Sequence, residues 1–257
     1  MGEFSRIFVI ADENVHASGE QICRLLQVQG LNQPFELMEW KVSEQLKTLQ
    51  TAQEMIRELL ARGADRKSFL VGAGGGVLTD IVGFVASVYM RGIRFAFIPT
   101  TLLAQVDAAI GGKNGVDLDD YKNIIGRISQ PEWTCRDMSF LKTLPQAEWR
   151  NGLAEMLKTF ILFDAQAYAD TVLLFSQIFR NGTELDPGLA GQLKRLTDRC
   201  AGYKMEVVRR DEFESGERRL LNLGHTYAHA VEKCSCEQIP HGQAVAVGMI
   251  YAAEIPG

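Results

Sequence analysis

The sequence predicts an α/β domain with a Rossmann-like parallel sheet, followed by an all-helical domain. Up to about Pro145, short apolar runs alternate with segments whose apolar residues recur at helical spacing. Beyond Pro145, only the helical spacing continues. Strands separated by helices form parallel sheets with helices on their faces. We therefore predict an α/β domain over residues 1–145 and a helical domain over 146–257.

Each element follows from its local composition. Strands are predicted where β-branched and aromatic residues cluster, at 6–11, 36–40, 68–71 and 95–98, with a fifth candidate at 133–136. Helices are predicted between them at 19–29, 43–62 and 77–90. In the second part, helices are predicted at 146–163, 165–180, 189–209, 220–234 and 243–254. The last helix is apolar with nothing evident to cover it, so we expect the helical domain to be incomplete.

Composition narrows the class of protein. The formal net charge of -5 over 257 residues argues against a general nucleic-acid binder. No apolar segment is long enough to span a bilayer, and the N-terminus does not resemble a signal peptide. The five cysteines are an odd number and do not form a disulfide framework. We expect a cytoplasmic, soluble protein without nucleic-acid or membrane partners.

A glycine-rich turn follows the third predicted strand. Its glycines lie within 72–76 and open the next helix, so backbone N–H groups and the helix dipole would favour a pyrophosphate. Val77 occupies the third glycine position of the dinucleotide fingerprint, so a merely tight turn is equally open. Asp80 is either a ribose or amide acceptor or a helix-start charge. After the fourth strand, Thr100 and Thr101 offer hydroxyls to a ligand, or cap the next helix.

Cationic side chains gather on the loops that follow. Lys113 comes after Gly111 and Gly112, and Lys122 precedes Asn123. With Arg91, these groups would surround a phosphate through charge-assisted hydrogen bonds. Any one lysine alone would be an ordinary solvated charge.

Histidines carry the chemistry of the helical part. His225 and His229 are four residues apart, on one face of a helix, and His241 starts another. Glu155 lies among apolar residues, where an unpaired carboxylate is costly. Two histidines and one carboxylate suit a catalytic divalent-metal site, although such a histidine pair alone is more often surface or core. We interpret the Cys234 and Cys236 pair as incidental.

Seven motifs, in this order, resemble the 3-dehydroquinate synthase family. They cover most of the chain, from about residue 7 to 248. They read GGGVLTDIVGF, RGIRFAFIPTTLLAQVDAAIGGKNGV, YKNIIG, LKTLP, GLAEMLK, LNLGHTYAHA and HGQAVAVGM. Each is weak alone, and together they are highly specific.

The resemblance implies a role for many residues. A divalent metal, zinc or alternatively cobalt, would be held by Glu155, His225 and His241. NAD would be bound by Asp12, Asn14, Glu44, Lys47, Gly75, Gly76, Val77, Asp80, Thr100, Thr101, Lys113, Lys122, Phe140 and Thr143. The substrate would be bound by Arg91, Lys113, Asn123, Lys204, Arg218, Asn222 and His229. The catalytic residues would be Asp107, Lys113, Lys158, Asn222 and His229.

The resemblance also implies a reaction and a partner. The substrate is a phosphorylated sugar acid, 3-deoxy-D-arabino-heptulosonate 7-phosphate, which is converted to 3-dehydroquinate and phosphate within the shikimate pathway. Transient oxidation by NAD is followed by phosphate elimination, re-reduction and aldol cyclisation. A homodimer is expected, with Arg91 reaching across its interface.

The chain departs from the family pattern, and other functions stay open. The family usually has Thr at Asn114, Gly at Ser43 and Glu at Gln243. Its first β-hairpin and most of its C-terminal helical domain, including a carboxylate-binding Lys, are expected to be missing. The alternatives are a related sugar phosphate cyclase, a metal-dependent NAD polyol dehydrogenase, and an inactive NAD-binding fragment. Lys204, Arg218 and Asn222 favour an acidic substrate, and the Lys113 phosphate pocket argues against a dehydrogenase.

Overall fold

A computed structural model describes residues 4–15, 19–119, 121–235 and 238–254. The chain forms two compact units. The first unit consists of Met1–Thr100 and Gly112–Phe140, and the second of Thr101–Gly111 and Leu141–Gly257. The short segment Thr101–Gly111 thus packs with the helical part, although it lies within the sequence of the α/β part. The predicted boundary between folding domains near residue 145 stays a prediction.

A four-stranded parallel sheet organises the first unit, as predicted. Its strands are β1 (Ile7–Asp12), β2 (Phe35–Trp40), β3 (Phe69–Gly74) and β4 (Arg94–Pro99), in the order β2-β1-β3-β4. All three pairings are parallel, so the four carboxyl ends lie along one edge. Loops that follow these strands are therefore brought together at that edge.

The predicted fifth strand at 133–136 is wrong. Thr134 forms a single parallel bridge with Phe97 of β4. The chain then leaves the sheet, because the Asp137 carboxylate accepts a hydrogen bond from the Ser139 N–H at 2.8 Å. That bond starts the helical turn Met138–Thr143 and ends the extended segment.

Three helices accompany the sheet: α1 (Gly19–Val28), α2 (Leu49–Ala61) and α3 (Gly76–Val88). The prediction of one helix over 43–62 is wrong at its start. The Thr48 hydroxyl accepts a hydrogen bond from the Thr51 N–H and caps α2, so Glu44–Leu46 forms a separate short turn. Ile22, Leu25 and Leu26 of α1 are buried against apolar side chains of β1, β3 and β4.

A β-hairpin follows, where the sequence predicted glycine-rich loops. Its strands are β5 (Lys113–Leu118) and β6 (Tyr121–Ile128). Gly115 lies opposite Gly126, and a Cβ on Gly126 would come within 2.4 Å of the Asn114 carbonyl oxygen. The glycines therefore allow close strand approach, which hides the alternating pattern by which strands are recognised.

The second unit is helical, as predicted. Its helices are α4 (Gln146–Phe163), α5 (Ala165–Arg180), α6 (Pro187–Arg210), α7 (His225–Cys234) and α8 (His241–Glu254). Shorter helical turns occupy Ala104–Ala108 and Glu217–Asn222. Among the described residues, no helix combines the length and the apolar character needed to cross a membrane.

The predicted helix over 220–234 is wrong, because it breaks at Gly224. Gly224 has a φ of +79°, and a Cβ there would lie 2.7 Å from the Met249 amide nitrogen of α8. A Cβ on Gly248 would in turn lie 2.1 Å from the Gly224 carbonyl oxygen. Glycine at both positions lets α7 begin in close contact with α8, and His225 becomes the first residue of α7.

Candidate active site

Three side chains of the second unit converge on one point. Glu155 projects from the middle of α4, while His225 and His241 are the first residues of α7 and α8. One ligand atom from each lies within 4.8 Å of the others. The Nε2 atoms of His225 and His241 lie 3.9 Å and 3.6 Å from Glu155 Oε1.

The donor set fits a divalent metal. Glu155 is fully buried, and its Oε1 has no hydrogen-bond partner among the described residues. Both Nε2 distances are too long for hydrogen bonds. The Nδ1 atoms are engaged elsewhere, with the Leu223 carbonyl oxygen at 3.3 Å and with Glu232 Oε1 at 2.8 Å. Two Nε2 atoms and one carboxylate oxygen thus face a common point, as in three-ligand catalytic metal sites.

His229 lies beside this cluster. Its ring is 5.8 Å from that of His225, in an edge-on arrangement. The cluster contains Glu155, His225 and His241 without it. The structure therefore brings together the three residues predicted as ligands, whose role stays a prediction.

The two histidines of the cluster titrate in opposite directions. Burial lowers the pKa of His225 to about 4, and the Lys158 charge adds to this effect. Burial also disfavours the charged form of His241, but the nearby Glu155 carboxylate and the hydrogen bond with Glu232 outweigh it and raise its pKa to about 9. At neutral pH, His225 is therefore a neutral donor, while a metal must displace a proton from His241.

A line of alternating charges runs from the cluster through the second unit. The Lys158 ammonium contacts Glu155 Oε2 and lies 4.0 Å from Asp107 Oδ1. Lys204 donates to the Asp107 carboxylate at 2.7 Å and to its carbonyl oxygen at 2.8 Å. Burial opposes ionisation of Asp107, but the Lys204 and Lys158 charges prevail and lower its pKa. Burial dominates at Lys204, whose pKa is lowered.

Arg218 is fixed by a compact loop. Arg218 is 2% exposed, and its guanidinium donates to the carbonyl oxygens of Glu212 at 2.5 Å and Gly111 at 2.8 Å. Asp211 accepts hydrogen bonds from the backbone N–H groups of Ser215, Gly216 and Arg218. The hydrogen bond from the Arg218 N–H is the largest of the effects that lower the pKa of Asp211 to about 2. Asp211 thus holds the loop as an anion.

Asn222 is positioned by the same loop. Its amide donates to Glu214 Oε1 at 2.7 Å. Asn222 is exposed, whereas Lys204 and Arg218 are buried. These three residues, predicted to bind the substrate carboxylate, all lie in the second unit.

In the first unit, predicted cofactor residues form a second polar cluster. Lys47, which is 4% exposed, donates to Asp80 at 2.6 Å and to Asn123 at 2.5 Å. The Lys122 ammonium lies 3.6 Å from Glu44 Oε1. Asn123 was predicted to meet the substrate phosphate, but the structure places its side chain among residues predicted to bind NAD. Sequence spacing gave no sign of this, since Lys47 and Asn123 are 76 positions apart.

The glycine turn has the geometry expected of an anion site. Gly75 precedes the first residue of α3, Gly76, and no side chain caps that helix. A Cβ on Gly74 would lie 2.5 Å from Leu78 Cδ2, so glycine allows the tight turn. Thr100 is buried beside it, and its N–H donates to the Gly74 carbonyl oxygen at 2.9 Å. Asp12 and Asn14, at the end of β1, are hydrogen-bonded to each other at 3.0 Å.

Other predicted residues are more dispersed. Thr101 belongs to the second unit, where its hydroxyl accepts from the Ala104 N–H at 3.1 Å, the capping role left open by the sequence. Phe140 is buried in the apolar core of the first unit, while Val77 is half-buried and Thr143 is exposed. Lys113 is an exposed first residue of β5. Arg91 is exposed and has a φ of 71°, next to Met90 at 48°.

Two residues that hydrogen-bond to predicted site residues were not themselves predicted: Asp211, which contacts Arg218, and Glu232, which contacts His241. Glu232 follows His225 by seven residues, so both lie on one face of α7. That spacing could have revealed Glu232. Asp211 is recognisable only from the loop hydrogen bonds that it accepts.

The chain matches known proteins along most of its length. Residues 37–151 match the family model of the 3-dehydroquinate synthase N-terminal domain, and residues 152–256 match that of its C-terminal domain. A 3-dehydroquinate synthase of Thermococcus kodakarensis is 44% identical over 227 residues, which is 88% of this chain and 61% of that protein. The enzyme of Alkaliphilus metalliredigens is 38% identical over 252 residues, which is 97% of this chain and 68% of that protein.

Solved structures with the same fold include other cyclases. The 2-epi-5-epi-valiolone synthase of Streptomyces hygroscopicus, with NAD+ and Zn2+ bound, superposes with a TM-score of 0.83 at 32% identity, covering 96% of this chain and 67% of that one. A 2-deoxy-scyllo-inosose synthase with carbaglucose-6-phosphate, NAD+ and Co2+ gives 0.82 at 27% identity, covering 98% and 68%. A probable glycerol dehydrogenase of Sinorhizobium meliloti, at 15% identity, a TM-score of 0.56 and coverage of 95% and 68%, shares the fold alone.

The chain spans 61% of the length of its Thermococcus relative and 68% of its Alkaliphilus relative. Both family models match in their natural order, and together they extend over residues 37–256. The fold and the Glu155, His225 and His241 cluster are consistent with these matches. The chain therefore belongs to the 3-dehydroquinate synthase family.

Proposed function

We propose that this chain is a lyase that converts 3-deoxy-D-arabino-heptulosonate 7-phosphate to 3-dehydroquinate and phosphate. The observation that carries the proposal is the cluster of Glu155, His225 and His241, flanked by Lys158, Asp107 and Lys204 within one unit of a 3-dehydroquinate synthase family member. Oxidation of an uncharged alcohol does not by itself require the two buried ammonium groups of Lys158 and Lys204 beside the cluster. A multiply anionic substrate accounts for them.

The proposed cofactors are a divalent metal, most simply Zn2+, and NAD. Glu155, His225 and His241 would hold the metal, and the cluster of Lys47, Asp80 and the glycine turn would hold NAD. When bound, the metal lowers the pKa of a coordinated hydroxyl, and NAD accepts a hydride and later returns it. The solved cyclases with NAD+ and Zn2+ or Co2+ bound support this pair of cofactors.

The chain's own groups would bind and orient the substrate. Lys204 and Arg218 are buried cations that would attract the carboxylate end, with Asn222 donating a further hydrogen bond. Lys158 and Asp107 would contact the reacting hydroxyls, and their low exposure would exclude water. His229, which lies beside the cluster in the second unit, would bind the phosphate. Because Lys158, Asp107, Lys204, Arg218 and Asn222 are already held by hydrogen bonds and ion pairs, substrate binding would need little reorganisation of them.

Three further expectations belong to the same proposal. We propose a homodimer in which Arg91 acts on the neighbouring site, supported by its exposure and its strained backbone. A cytoplasmic location is supported by Cys23, Cys135, Cys200 and Cys234, which form no disulfide within the described part of the chain. The substrate would be a small molecule.

Phosphate release tests the proposal. The protein is supplied with the heptulosonate phosphate and catalytic NAD, with Zn2+ or with a chelator. We expect metal-dependent phosphate release without net NADH, abolished in Glu155→Gln and retained in Glu206→Gln, a surface acid whose ion pairs with Arg209 and Arg210 lie outside the site. Folded protein that releases no phosphate under these conditions contradicts the proposal.

A related sugar phosphate cyclase is the second candidate, favoured by the TM-score of 0.83 to the valiolone synthase. The two candidates differ in the charge of the substrate. Replacement of Arg218 by Met should raise the KM for a sugar phosphate that carries a carboxylate more than the KM for one without it. Preference of the parent protein for a sugar phosphate without a carboxylate would favour the second candidate.

A further inference from the structure

Glu232 lies where a helix does not favour an acidic residue. It is in the last turn of α7, close to helix carbonyl groups that carry partial negative charge. Its side chain is only 3% exposed, and buried carboxylates are costly unless they are paired. Position and burial both disfavour this residue, so a compensating interaction is required.

That interaction is made with His241. Glu232 Oε1 lies 2.8 Å from His241 Nδ1, a normal length for a charge-assisted hydrogen bond. The opposite ring nitrogen, Nε2, points to Glu155 and lies 3.6 Å from its Oε1. Glu232 therefore contacts the face of the imidazole turned away from the cluster.

We propose that Glu232 is a positioning residue that sets the tautomer and the orientation of His241 for metal binding. When the ring loses its second proton, an acceptor at Nδ1 holds the remaining proton there and leaves the Nε2 lone pair directed at the cluster. When the acceptor at Nδ1 is a carboxylate, the imidazole is also a stronger ligand for a metal than when the acceptor is uncharged. The inference rests on the proposed metal site and adds a residue to it.

The two histidines are supported differently. His225 Nδ1 is 3.3 Å from the Leu223 carbonyl oxygen, a longer contact with an uncharged acceptor. His241 has the shorter contact, and its acceptor is charged. Loss of Glu232 should therefore weaken metal binding by His241 and leave metal binding by His225 unaffected.

The experiment compares Glu232→Gln and Glu232→Leu in the full chain, with Glu206→Gln and Glu206→Leu as matched controls. The affinity for Zn2+ alone is measured by competition with a chelator. The ring-nitrogen NMR signals of isotopically labelled histidine, recorded on the metal-free protein at a pH above the His241 pKa of about 9, report the tautomer of its neutral ring. Circular dichroism establishes that each variant is folded. Because Gln has the size of Glu, the Gln variant still tests whether Glu232 supports metal binding if the Leu variant does not fold.

We expect about 10-fold weaker binding of Zn2+ in Glu232→Gln and about 100-fold in Glu232→Leu. The His241 signals should lose the Nδ1–H tautomer in the Leu variant, while those of His225 do not change. A merely structural role would lower stability without changing the tautomer. If folded Glu232→Gln binds Zn2+ within twofold of the parent affinity and the His241 tautomer is unchanged, the inference is overturned while the proposed metal site stands. A parent chain that does not bind Zn2+ overturns the proposed metal site and the inference with it.

Discussion

At the scale of single residues, the second unit is organised by buried charges in alternation. Asp107 lies between two ammonium groups, with Lys204 Nζ at 2.7 Å and Lys158 Nζ at 4.0 Å. Lys158 and Lys204 are both largely buried. Removing the central negative charge leaves two poorly solvated cations close to each other.

Asp107→Asn should therefore destabilise the chain even without ligands. We expect a loss of about 2 to 4 kcal/mol in the free energy of unfolding, since breaking a buried ion pair leaves an uncompensated charge. The measurement is urea unfolding of the metal-free protein. Asp198→Asn is the control, because its pair with Lys194 is exposed and should contribute about 0.5 kcal/mol. Equal effects of the two substitutions would contradict the role assigned to Asp107.

The pKa values of the two cluster histidines predict how the affinity for a metal depends on pH. With a pKa of about 9, His241 is protonated at neutral pH in the metal-free protein, whereas His225, with a pKa of about 4, is not. A metal must displace the proton from His241, so affinity rises with pH up to that pKa and then levels off. Between about pH 6 and pH 7.5, the affinity for Zn2+ should rise about tenfold per pH unit. Chelator competition across this range measures the slope, and a pH-independent affinity would show that His241 is neutral before binding.

At the scale of elements, glycines determine how closely helices and strands approach. Gly83 of α3 packs against Asn114 of β5, and a Cβ at Gly83 would lie 2.0 Å from Asn114 Oδ1. Asn114 cannot move easily, because its amide donates to the carbonyl oxygens of Gly112 and Ser129 at 2.9 and 2.8 Å. Asn114 thus links both ends of the hairpin.

Gly83→Ala and Gly202→Ala should have opposite effects. Both glycines are inside helices, but a Cβ on Gly202 would meet nothing within 4 Å. Alanine at 202 should stabilise the chain by about 0.5 to 1 kcal/mol through helix propensity. Alanine at 83 gains the same propensity, but the steric clash should make it destabilising by about 1 to 3 kcal/mol. Thermal or urea unfolding measures both, and stabilisation by Gly83→Ala would mean that the α3 and β5 contact is loose.

At the scale of the whole molecule, α4, α7 and α8 each contribute one member of the metal cluster. A metal that binds the folded state alone raises stability by mass action. The size of the gain follows from the ratio of free metal to the dissociation constant.

Zinc should therefore stabilise the chain by about 2.7 kcal/mol at a concentration 100 times its dissociation constant. The melting temperature is measured with Zn2+ and again with a chelator. Glu155→Gln should lose the shift, and Glu206→Gln should keep it. A shift that persists in Glu155→Gln would place the stabilising metal elsewhere.

Several features followed from the sequence alone. The strands β1, β2, β3 and β4 and the helices α4, α5, α6 and α8 were predicted from local composition and periodicity, which do not depend on distant contacts. The composition of the cluster, one carboxylate and two histidines, was also foreseeable from the sequence. The helical spacing pointed to His225 and His229, however, and the set of Glu155, His225 and His241 followed from the family resemblance. The family followed from seven ordered motifs.

Other features were decided by tertiary structure. Gly224 breaks a helix that the local pattern favours, because α8 packs against its backbone. The β5 and β6 hairpin depends on glycines that pair across strands, which no local pattern reveals. Asn123 joins Lys47 and Asp80 through contacts between distant segments. Sequence thus determined the elements and the chemistry they carry, whereas the partners of each polar group depended on long-range packing, since side chains far apart in the chain acquire neighbours only when it folds.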